Sequence, residues 1–230
     1  MKLSIIIPCF DEINFIEKIL NKIEISNKFE SEIIIIDDFS KDGTREFLEN
    51  IKNDKNYKIF YNDKNYGKGF SVRKGIENSL GEIILIQDAD LEYDPSDYSK
   101  LITPIINDEA DVVYGSRFIG SDLVRVHMFW HKVGNNFLTL LSNIFTNLNL
   151  TDMENCYKAF KADVLKKIVL KENRFGFEPE VTAKISKLKN LRIYEVPVKY
   201  KGRSYSEGKK ISWKDGFSAL RCIFYYNIFK

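Results

Sequence analysis

The sequence predicts an α/β protein with a doubly wound, mostly parallel sheet, and two observations support this fold class. Short apolar runs of strand length alternate with longer segments of helical period up to Ser116. Several of these runs, such as IIIP, IIIID and IILI, are apolar at successive positions, as strands covered on both faces must be. At 230 residues, with no repeat or linker-like stretch, the chain is long enough for one sizeable hydrophobic core.

The first half of the chain is predicted to form five strands separated by amphipathic helices. The strands are expected at residues 3–7, 32–36, 58–61, 83–86 and 111–114. Apolar residues at helical spacing mark the intervening helices at 13–23, 47–51, 70–80 and 98–106. Because strands and helices alternate, we expect a parallel sheet with a helix between successive strands.

The second half of the chain is predicted to be mainly helical. Between residues 133 and 148, apolar side chains recur on one helical face, while asparagine, serine and threonine fill the other. A strand is expected at 191–196 and a last amphipathic helix at 213–229. That last helix is expected either to pack on the sheet or to lie in a membrane interface or dimer contact.

Composition excludes several classes of protein. Lys+Arg 35 against Asp+Glu 33 gives a net charge of +2, which argues against a general nucleic-acid binder. The three cysteines lack the spacing of a zinc site or a disulfide framework. The N-terminus turns acidic within twelve residues, unlike a secretory signal, and no apolar run approaches the ~18 residues of a membrane span. We therefore expect a cytoplasmic protein.

Polar residues follow the predicted strands at their carboxyl ends. The pairs are Asp11/Glu12, Asp37/Asp38, Asp88/Asp90 and Ser116/Arg117. In open α/β sheets, ligands bind in the crevice outside the carboxyl ends of the strands. The pattern therefore predicts a binding site at this edge of the sheet.

The stretch QDADLEYDP, residues 87–95, concentrates carboxylates directly after a strand. Asp88 and Asp90 point to the same side of an extended chain and, with Glu92, offer the hard oxygen ligands that Mg²⁺ or Mn²⁺ prefers. Taken alone, so short an acidic pattern is more often a solvated turn. Asp94, followed by Pro95, is predicted to be structural, at the start of the next helix.

Five motifs in order resemble the inverting family 2 glycosyltransferases of the GT-A fold. They are PCFDE (8–12), IIDDFSKDGT (35–44), NYGKGFSVRKG (65–75), QDADLEYDP (87–95) and YGSRF (114–118). Three later motifs are similar to the branch of dolichyl-phosphate mannosyltransferase and dolichyl-phosphate glucosyltransferase: LTDMENCYKAFK (150–161), RFGFEPE (174–180) and GRSYSEGKKISWKDG (202–216). The resemblance covers essentially the whole chain.

The resemblance implies a set of donor-binding residues around a nucleotide diphosphate sugar. Residues expected to hold the nucleoside, the phosphates or the donor sugar are Pro8, Phe10, Glu12, Asp37, Asp38, Lys68, Asp88, Ala89 and Lys209. Residues expected to bind Mg²⁺ or Mn²⁺ are Asp88, Asp90 and Glu92, the last at a position where some relatives carry Gln. Helix capping remains the alternative for Asp38, and helix-start geometry is an equal reason for the glycines beside Lys68.

Four residues are expected to act in catalysis. Asp90 holds the metal, while Arg117 and Arg203 are expected at the phosphates, which suit planar guanidinium donors. Glu180 is the candidate base, with Asp152 as the other, should the acceptor be a sugar hydroxyl whose proton must leave. The alternative for Arg117 is a surface ion pair. The alternative for Glu180 and Asp152 is a structural role at a helix start, through the helix dipole or a helix cap.

The resemblance therefore implies one GT-A domain over residues 1–230, with 1–120 binding the nucleotide sugar and 121–230 on the acceptor and membrane side. We expect a hexose to pass, with inversion, from a nucleotide diphosphate sugar to a polyprenyl phosphate at the inner face of the membrane. The chain would reach the membrane peripherally or through a membrane partner protein, with homodimerisation open. The alternatives are transfer to a hydroxyl of a surface polysaccharide and a non-catalytic nucleotide-sugar-binding subunit.

Overall fold

The computed structural model describes residues 1–53, 57–120, 126, 129–203 and 213–230, with the side chains of 213 and 214 excepted. Seven strands in these ranges are β1 Leu3–Cys9, β2 Ser31–Asp37, β3 Tyr57–Tyr61, β4 Ile83–Ile86, β5 Val112–Ser116, β6 Lys158–Lys161 and β7 Ile193–Pro197. Helices are α1 Ile16–Ser26, α2 Thr44–Ile51, α3 Lys68–Glu77, α4 Tyr98–Ile106, α5 Phe129–Thr146, α6 Ala162–Leu165, α7 Phe177–Ser186 and α8 Trp213–Phe224. A 3₁₀ turn, Pro95–Asp97, precedes α4, and a π-helical turn, Tyr225–Phe229, follows α8.

The strands form one mixed sheet in the order β3-β2-β1-β4-β6-β5-β7. Strand β6 runs antiparallel to both β4 and β5, and the other pairings are parallel. The α/β class and the mostly parallel sheet are confirmed. Strand β6 was not predicted: its four residues, KAFK, begin and end with lysine, although Lys158 is completely buried.

The hydrophobic core lies on both faces of the central strands. Strands β1, β2 and β4 are buried along nearly their whole length, as their uninterrupted apolar runs predicted. Helix α3 packs on β1 and β2, and helix α1 buries the apolar face expected from its spacing, formed by Ile16, Ile19, Leu20 and Ile23. Burial of strands on both faces explains why these elements were readable from the sequence.

The carboxyl ends of β1, β2 and β4 meet at one edge of the sheet. Cys9 pairs with Asp37 in the register of β1 and β2, and the Asp38 N–H donates to the Cys9 oxygen at 2.8 Å. The loops beyond these strands each contain a non-glycine residue in the left-handed region: Asp11, Phe39 and Leu91, with φ of 49°, 70° and 62°. Strained backbone of this kind is held by its surroundings and concentrates at functional sites.

Helix α5 is oriented with its polar face inward. Its buried residues are Thr139, Ser142 and Thr146. Leu138 and Leu141 are partly buried against the core, and its other large hydrophobic side chains are exposed. The helix packs against α7 and α8. No helix within the described ranges is long and apolar enough to cross a membrane.

Candidate active site

Three carboxylates from two loops surround the guanidinium of Arg203. Its Nη2 donates to Asp90 Oδ2 at 2.7 Å, and both terminal nitrogens reach the Glu12 carboxylate at 3.2 and 3.3 Å. Glu92 Oε1 lies 3.6 Å from the Arg203 Nε, which is buried and has no hydrogen-bond partner within the part of the chain that the structure describes. The sequence-predicted residues after β1 and β4 are thus brought together around one cation, and we call this set the carboxylate cluster.

The carboxylate cluster carries more negative charge than Arg203 neutralises. Burial, then the nearby Asp88 and Glu92 carboxylates, raise the pKa of Asp90 to about 7 against the opposing effect of Arg203. Among the described residues, no group of three His, Cys, Asp or Glu side chains is arranged to hold a metal ion. The guanidinium separates the carboxylates, but their hard oxygens and surplus charge fit a divalent cation in its place.

Glu92 anchors the segment that carries Arg203. Its Oε1 accepts from the Arg203 backbone N–H at 2.8 Å, and its Oε2 accepts from the Tyr200 hydroxyl at 2.9 Å. The Lys201 N–H donates to the Glu92 carbonyl at 2.8 Å. Both side-chain oxygens of Glu92 therefore already have protein partners, and a metal ion bound by Glu92 would share these oxygens with the two donors.

Asp88 belongs to a second charge network, which extends to the fully buried Lys158. Lys68 Nζ lies 2.9 Å from Asp88 Oδ1 and 3.6 Å from Glu178 Oε1, and Glu178 pairs in turn with the fully buried Lys158. Lys68 was predicted at the donor phosphates. The structure places Lys68 beside the Asp88 carboxylate, where the negative charges of Asp88 and Glu178 hold its ammonium group in a fixed position.

Asp37 and Asp38 are buried and bonded to the protein. Asp37 pairs with Arg45 at 2.9 Å. Asp38 accepts from the backbone N–H groups of Tyr66 and Gly67 at 3.0 and 2.7 Å, and from the Asn62 amide at 2.8 Å. Asp38 thus orders the loop before α3 and does not cap a helix. Its predicted contact with the nucleoside stays a prediction.

Steric constraints explain the glycines on both sides of Lys68. Gly67 has a φ of +102°, and an added Cβ would lie 2.5 Å from the Asn173 carbonyl oxygen. At Gly69 the Cβ would lie 2.9 Å from the Arg174 oxygen. The Phe70 N–H, in the first turn of α3, donates to that same Asn173 oxygen at 3.0 Å. The glycines therefore admit a crossing backbone segment, which the sequence alone did not indicate.

Arg117 forms a buried bidentate pair with Asp152. Its Nε and Nη2 each donate to the carboxylate at 2.7 Å, and Nη2 also donates to Asn135 of α5 at 3.0 Å. Burial would raise the pKa of Asp152, but the charge and hydrogen bonds of Arg117 outweigh it and the net shift is downward. A carboxylate with a lowered pKa is a weak general base.

Glu180 lies in a separate environment. It is completely buried, accepts from the backbone N–H groups of Lys171 and Glu172 at 2.8 and 2.7 Å, and pairs with Lys184 at 2.5 Å. These contacts fasten the segment before α7 to that helix. None of the hydrogen bonds that Glu180 forms with described residues connects it to the carboxylate cluster, so these contacts give its predicted catalytic role no support.

The remaining predicted residues are placed as follows. Pro8 and Phe10, at the end of β1, are half-buried, and Ala89 is buried between the two aspartates. Lys209 lies outside the described residues. Asp94 accepts from the Ser96 N–H and caps the 3₁₀ turn, which confirms its structural role.

Two residues that the motif analysis did not single out also belong to this region. Tyr200 contacts Glu92 through its hydroxyl, and its ring lies 5.1 Å from the Arg117 guanidinium. Glu154 has a buried oxygen, Oε1, that has no hydrogen-bond partner among the described residues. Burial, and then the Glu178 charge, raise the pKa of Glu154 to about 8. In the sequence, only the position of Glu154 between Asp152 and Asn155 in the LTDMEN stretch could have pointed to this residue.

The sheet, with a carboxylate cluster at the carboxyl ends of β1 and β4, has the architecture of GT-A glycosyltransferases. Among solved structures, glucosyl-3-phosphoglycerate synthase from Mycobacterium tuberculosis, in complex with Mn²⁺, uridine diphosphate and phosphoglyceric acid, superposes with a TM-score of 0.76. The match covers 100% of this chain and 79% of that chain at 14% identity, which shows a common fold.

The sequence profile described as Glycosyl transferase family 2 matches residues 4–169, and the chain belongs to this family. A UDP-N-acetylglucosamine–dolichyl-phosphate N-acetylglucosaminyltransferase of Methanococcus voltae is 30% identical over 240 residues, covering 96% of this chain and 92% of the relative. A dolichol-phosphate mannosyltransferase of Pyrococcus furiosus is 27% identical over 227 residues, covering 97% of this chain. The chain spans 63% of that relative's length.

Proposed function

We propose that the protein transfers a hexose from a nucleotide diphosphate sugar to a polyprenyl phosphate, with inversion, at the inner face of the membrane. Family membership and the names of the two relatives support this activity. The observation that carries the choice of acceptor is the state of Asp152 and Glu180. Each is bound by a cation and backbone or amide donors, which makes it unsuited to remove a proton from a hydroxyl.

An acceptor phosphate needs no base, because its attacking oxygen is already anionic at neutral pH. That oxygen forms the bond to the anomeric carbon while the bond to the leaving nucleoside diphosphate breaks, so the configuration inverts. We assign Arg203 and Lys209 to the diphosphate and Arg117 to the acceptor side. Forked guanidinium donors are suited to phosphate oxygens.

The carboxylate cluster would hold Mg²⁺ or Mn²⁺ through Asp90, with Asp88 and Glu92 as the further proposed ligands. When bound, the ion would stabilise the negative charge that develops on the departing diphosphate. Glu12 and Asp90 already orient their oxygens toward one cation, the Arg203 guanidinium. Lys68 Nζ lies 2.9 Å from Asp88 Oδ1 and holds this carboxylate in place.

The proposed function is tested by incubating the protein with a panel of nucleotide sugars, a short-chain polyprenyl phosphate and Mn²⁺ or Mg²⁺. We expect one donor to give a glycosyl phosphate lipid, and Asp90→Asn to lower its rate by about a hundredfold or more. Asp94→Asn is the matched control, because Asp94 is in the same stretch but caps a turn. Full metal-dependent transfer by Asp90→Asn would refute the assignment.

A second candidate, transfer to a sugar hydroxyl, is favoured by one observation. Glu154 has an unpaired buried oxygen and a pKa raised to about 8, as a general base near neutral pH requires. Glu154→Gln would then abolish transfer to a hydroxyl acceptor while leaving donor binding intact. If the phosphate is the acceptor, the same variant keeps most of its transfer rate.

A further inference from the structure

Helix α5 presents an apolar face to the outside of the molecule. Seven large hydrophobic side chains on it are exposed: Phe129, Trp130, Val133, Phe137, Leu140, Ile144 and Phe145. Trp130 is 78% exposed and Ile144 65%. An amphipathic helix of a water-soluble domain normally buries such a stripe against the core. Here the stripe faces outward, which is the reverse of that rule.

Hydrogen bonds of the polar face fix this orientation. Asn135 bonds to Arg117 and Asp152, the Thr139 hydroxyl accepts from the Met153 N–H at 3.2 Å, and Asn143 exchanges two bonds with the Leu150 backbone. Rotating the helix to bury its apolar face would break these bonds and leave buried polar groups unpaired. The exposure is therefore built into the fold.

The C-terminal elements extend the exposed surface. The rings of Phe145 on α5 and Phe224 on α8 meet edge to face with centroids 5.3 Å apart. Further exposed hydrophobic residues on α8 and the π-helical turn are Phe217, Phe224, Tyr225, Ile228 and Phe229. We call the exposed hydrophobic residues of α5, α8 and this turn the α5–α8 face. A continuous apolar surface of this kind marks an interaction site.

Cations flank the α5–α8 face. Lys132 is exposed beside Trp130, and the sequence of α5 contains no Asp or Glu. Beside Tyr226 of the π-helical turn, a cavity of about 300 Å³ is lined by Ile168, Val169 and four lysines. The lysines are Lys171, Lys187, Lys230 and Lys184, the last of which is paired with Glu180. Aromatic and aliphatic residues bordered by lysines are the composition of helices that lie in an anionic membrane interface.

A second copy of the chain fits this surface less well. A two-fold interface places the same patch on both sides. Helix α5 would then contribute cations to both halves of the contact and no carboxylate to pair with them. Anionic lipid headgroups, in contrast, match the charge of the flanking lysines.

We propose that the α5–α8 face lies in the headgroup region of a membrane that contains anionic lipids, with Trp130 and Phe229 inserted toward the acyl chains. This proposal rests on the proposed function in one respect, which is that the acceptor lipid is a component of that membrane. Asn135 joins α5 to the Arg117–Asp152 pair, so the membrane-bound helix is also part of the candidate active site. The acceptor phosphate would be bound without leaving the membrane surface.

The test compares two double variants in sedimentation with vesicles of phosphatidylcholine alone or mixed with phosphatidylglycerol. Phe137→Asp with Ile144→Asp puts charge on the α5–α8 face, while Ile25→Asp with Leu80→Asp does so at exposed residues elsewhere, 84% and 73% accessible. Wild type and the second variant should sediment with phosphatidylglycerol vesicles, less so at high salt, and the first should stay in solution. Equal sedimentation of both variants would overturn the proposal.

Light scattering decides the alternative occupant. If wild type is a dimer that the first variant dissociates without losing vesicle binding, the face joins two copies and the proposal fails. A second readout uses the two tryptophans of the chain: Trp213→Phe leaves Trp130 as the fluorophore. Its emission should be quenched by brominated lipids, and unquenched emission from sedimented protein would contradict insertion.

The membrane contact and the proposed function can be refuted independently, because vesicle binding and glycosyl transfer are measured separately. The Phe137→Asp/Ile144→Asp variant should still use a water-soluble, short-chain polyprenyl phosphate, because neither residue belongs to the candidate active site. If wild type binds vesicles but glycosylates no acceptor, the proposed function is wrong and the membrane contact stands. If the protein glycosylates the soluble acceptor but never binds vesicles, the membrane contact is wrong and the proposed function stands.

Discussion

At the scale of single residues, Arg203 is the internal cation of the carboxylate cluster. It neutralises Glu12 and Asp90 at 2.7 to 3.3 Å, in the region where a divalent ion is proposed. The guanidinium and the proposed metal ion would therefore compete for the same oxygens. Binding of the donor and its metal would release the guanidinium toward the diphosphate.

This competition predicts that Arg203→Met binds Mn²⁺ about tenfold more tightly than wild type in the absence of nucleotide. Methionine keeps a stem that can pack on Phe15 but removes the positive charge. Transfer should fall in the same variant, because the diphosphate loses a donor. Calorimetric titration of the free protein measures the affinity. Arg192→Met, outside the cluster, is the control, and unchanged Mn²⁺ affinity in Arg203→Met would contradict the competition.

The raised pKa of Glu154 predicts that the free energy of unfolding depends on pH. Its pKa is about 8 in the folded protein, above the ordinary value of 4.5, so the folded state retains a proton that the unfolded chain has released. The free energy of unfolding should therefore fall as pH rises between these two values. Glu154→Gln should flatten this decline in thermal unfolding curves, whereas Glu109→Gln, an exposed carboxylate, should not. A slope unchanged by Glu154→Gln would show that the carboxyl is not held protonated.

At the scale of secondary-structure elements, close packing explains the glycines around Lys68. Gly69→Ala should lower the free energy of unfolding by about 1–3 kcal/mol, because its Cβ would overlap the backbone of residues 172–174. Gly134→Ala on α5 meets nothing within 4 Å and should raise it by about 0.5–1 kcal/mol. Denaturant unfolding measures both. A neutral Gly69→Ala would mean that the crossing segment can move away.

The elements differed in how far the sequence could predict them. Strands β1, β2 and β4 were predictable because both faces of each are buried and their apolar runs are uninterrupted. Strand β6 was not, since a buried lysine at its start reads as a polar residue. The periodicity of α5 was visible, but which of its faces is buried depends on partners distant in sequence, such as Arg117 and Asp152.

At the scale of the whole molecule, the parallel arrangement of strands brought the predicted carboxylates to one edge. The acidic loops after β1 and β4 meet because parallel strands end together, which the sequence pattern was sufficient to indicate. The internal partners were not predictable: Arg203 lies 191 residues from Glu12, and Asp152 35 from Arg117. Long-range pairings of this kind depend on topology, and a single sequence does not encode them as a local pattern.

The most direct test of the central claim, that a lipid phosphate is the acceptor, is phosphorus NMR of the reaction. The reaction contains a nucleotide sugar, a short-chain polyprenyl phosphate and Mn²⁺, and the metal is removed before the spectrum is recorded. We expect the phosphomonoester signal of the lipid to be replaced by a phosphodiester signal as nucleoside diphosphate accumulates. An unchanged monoester signal, with sugar appearing instead on a hydroxyl of an added saccharide, would contradict it.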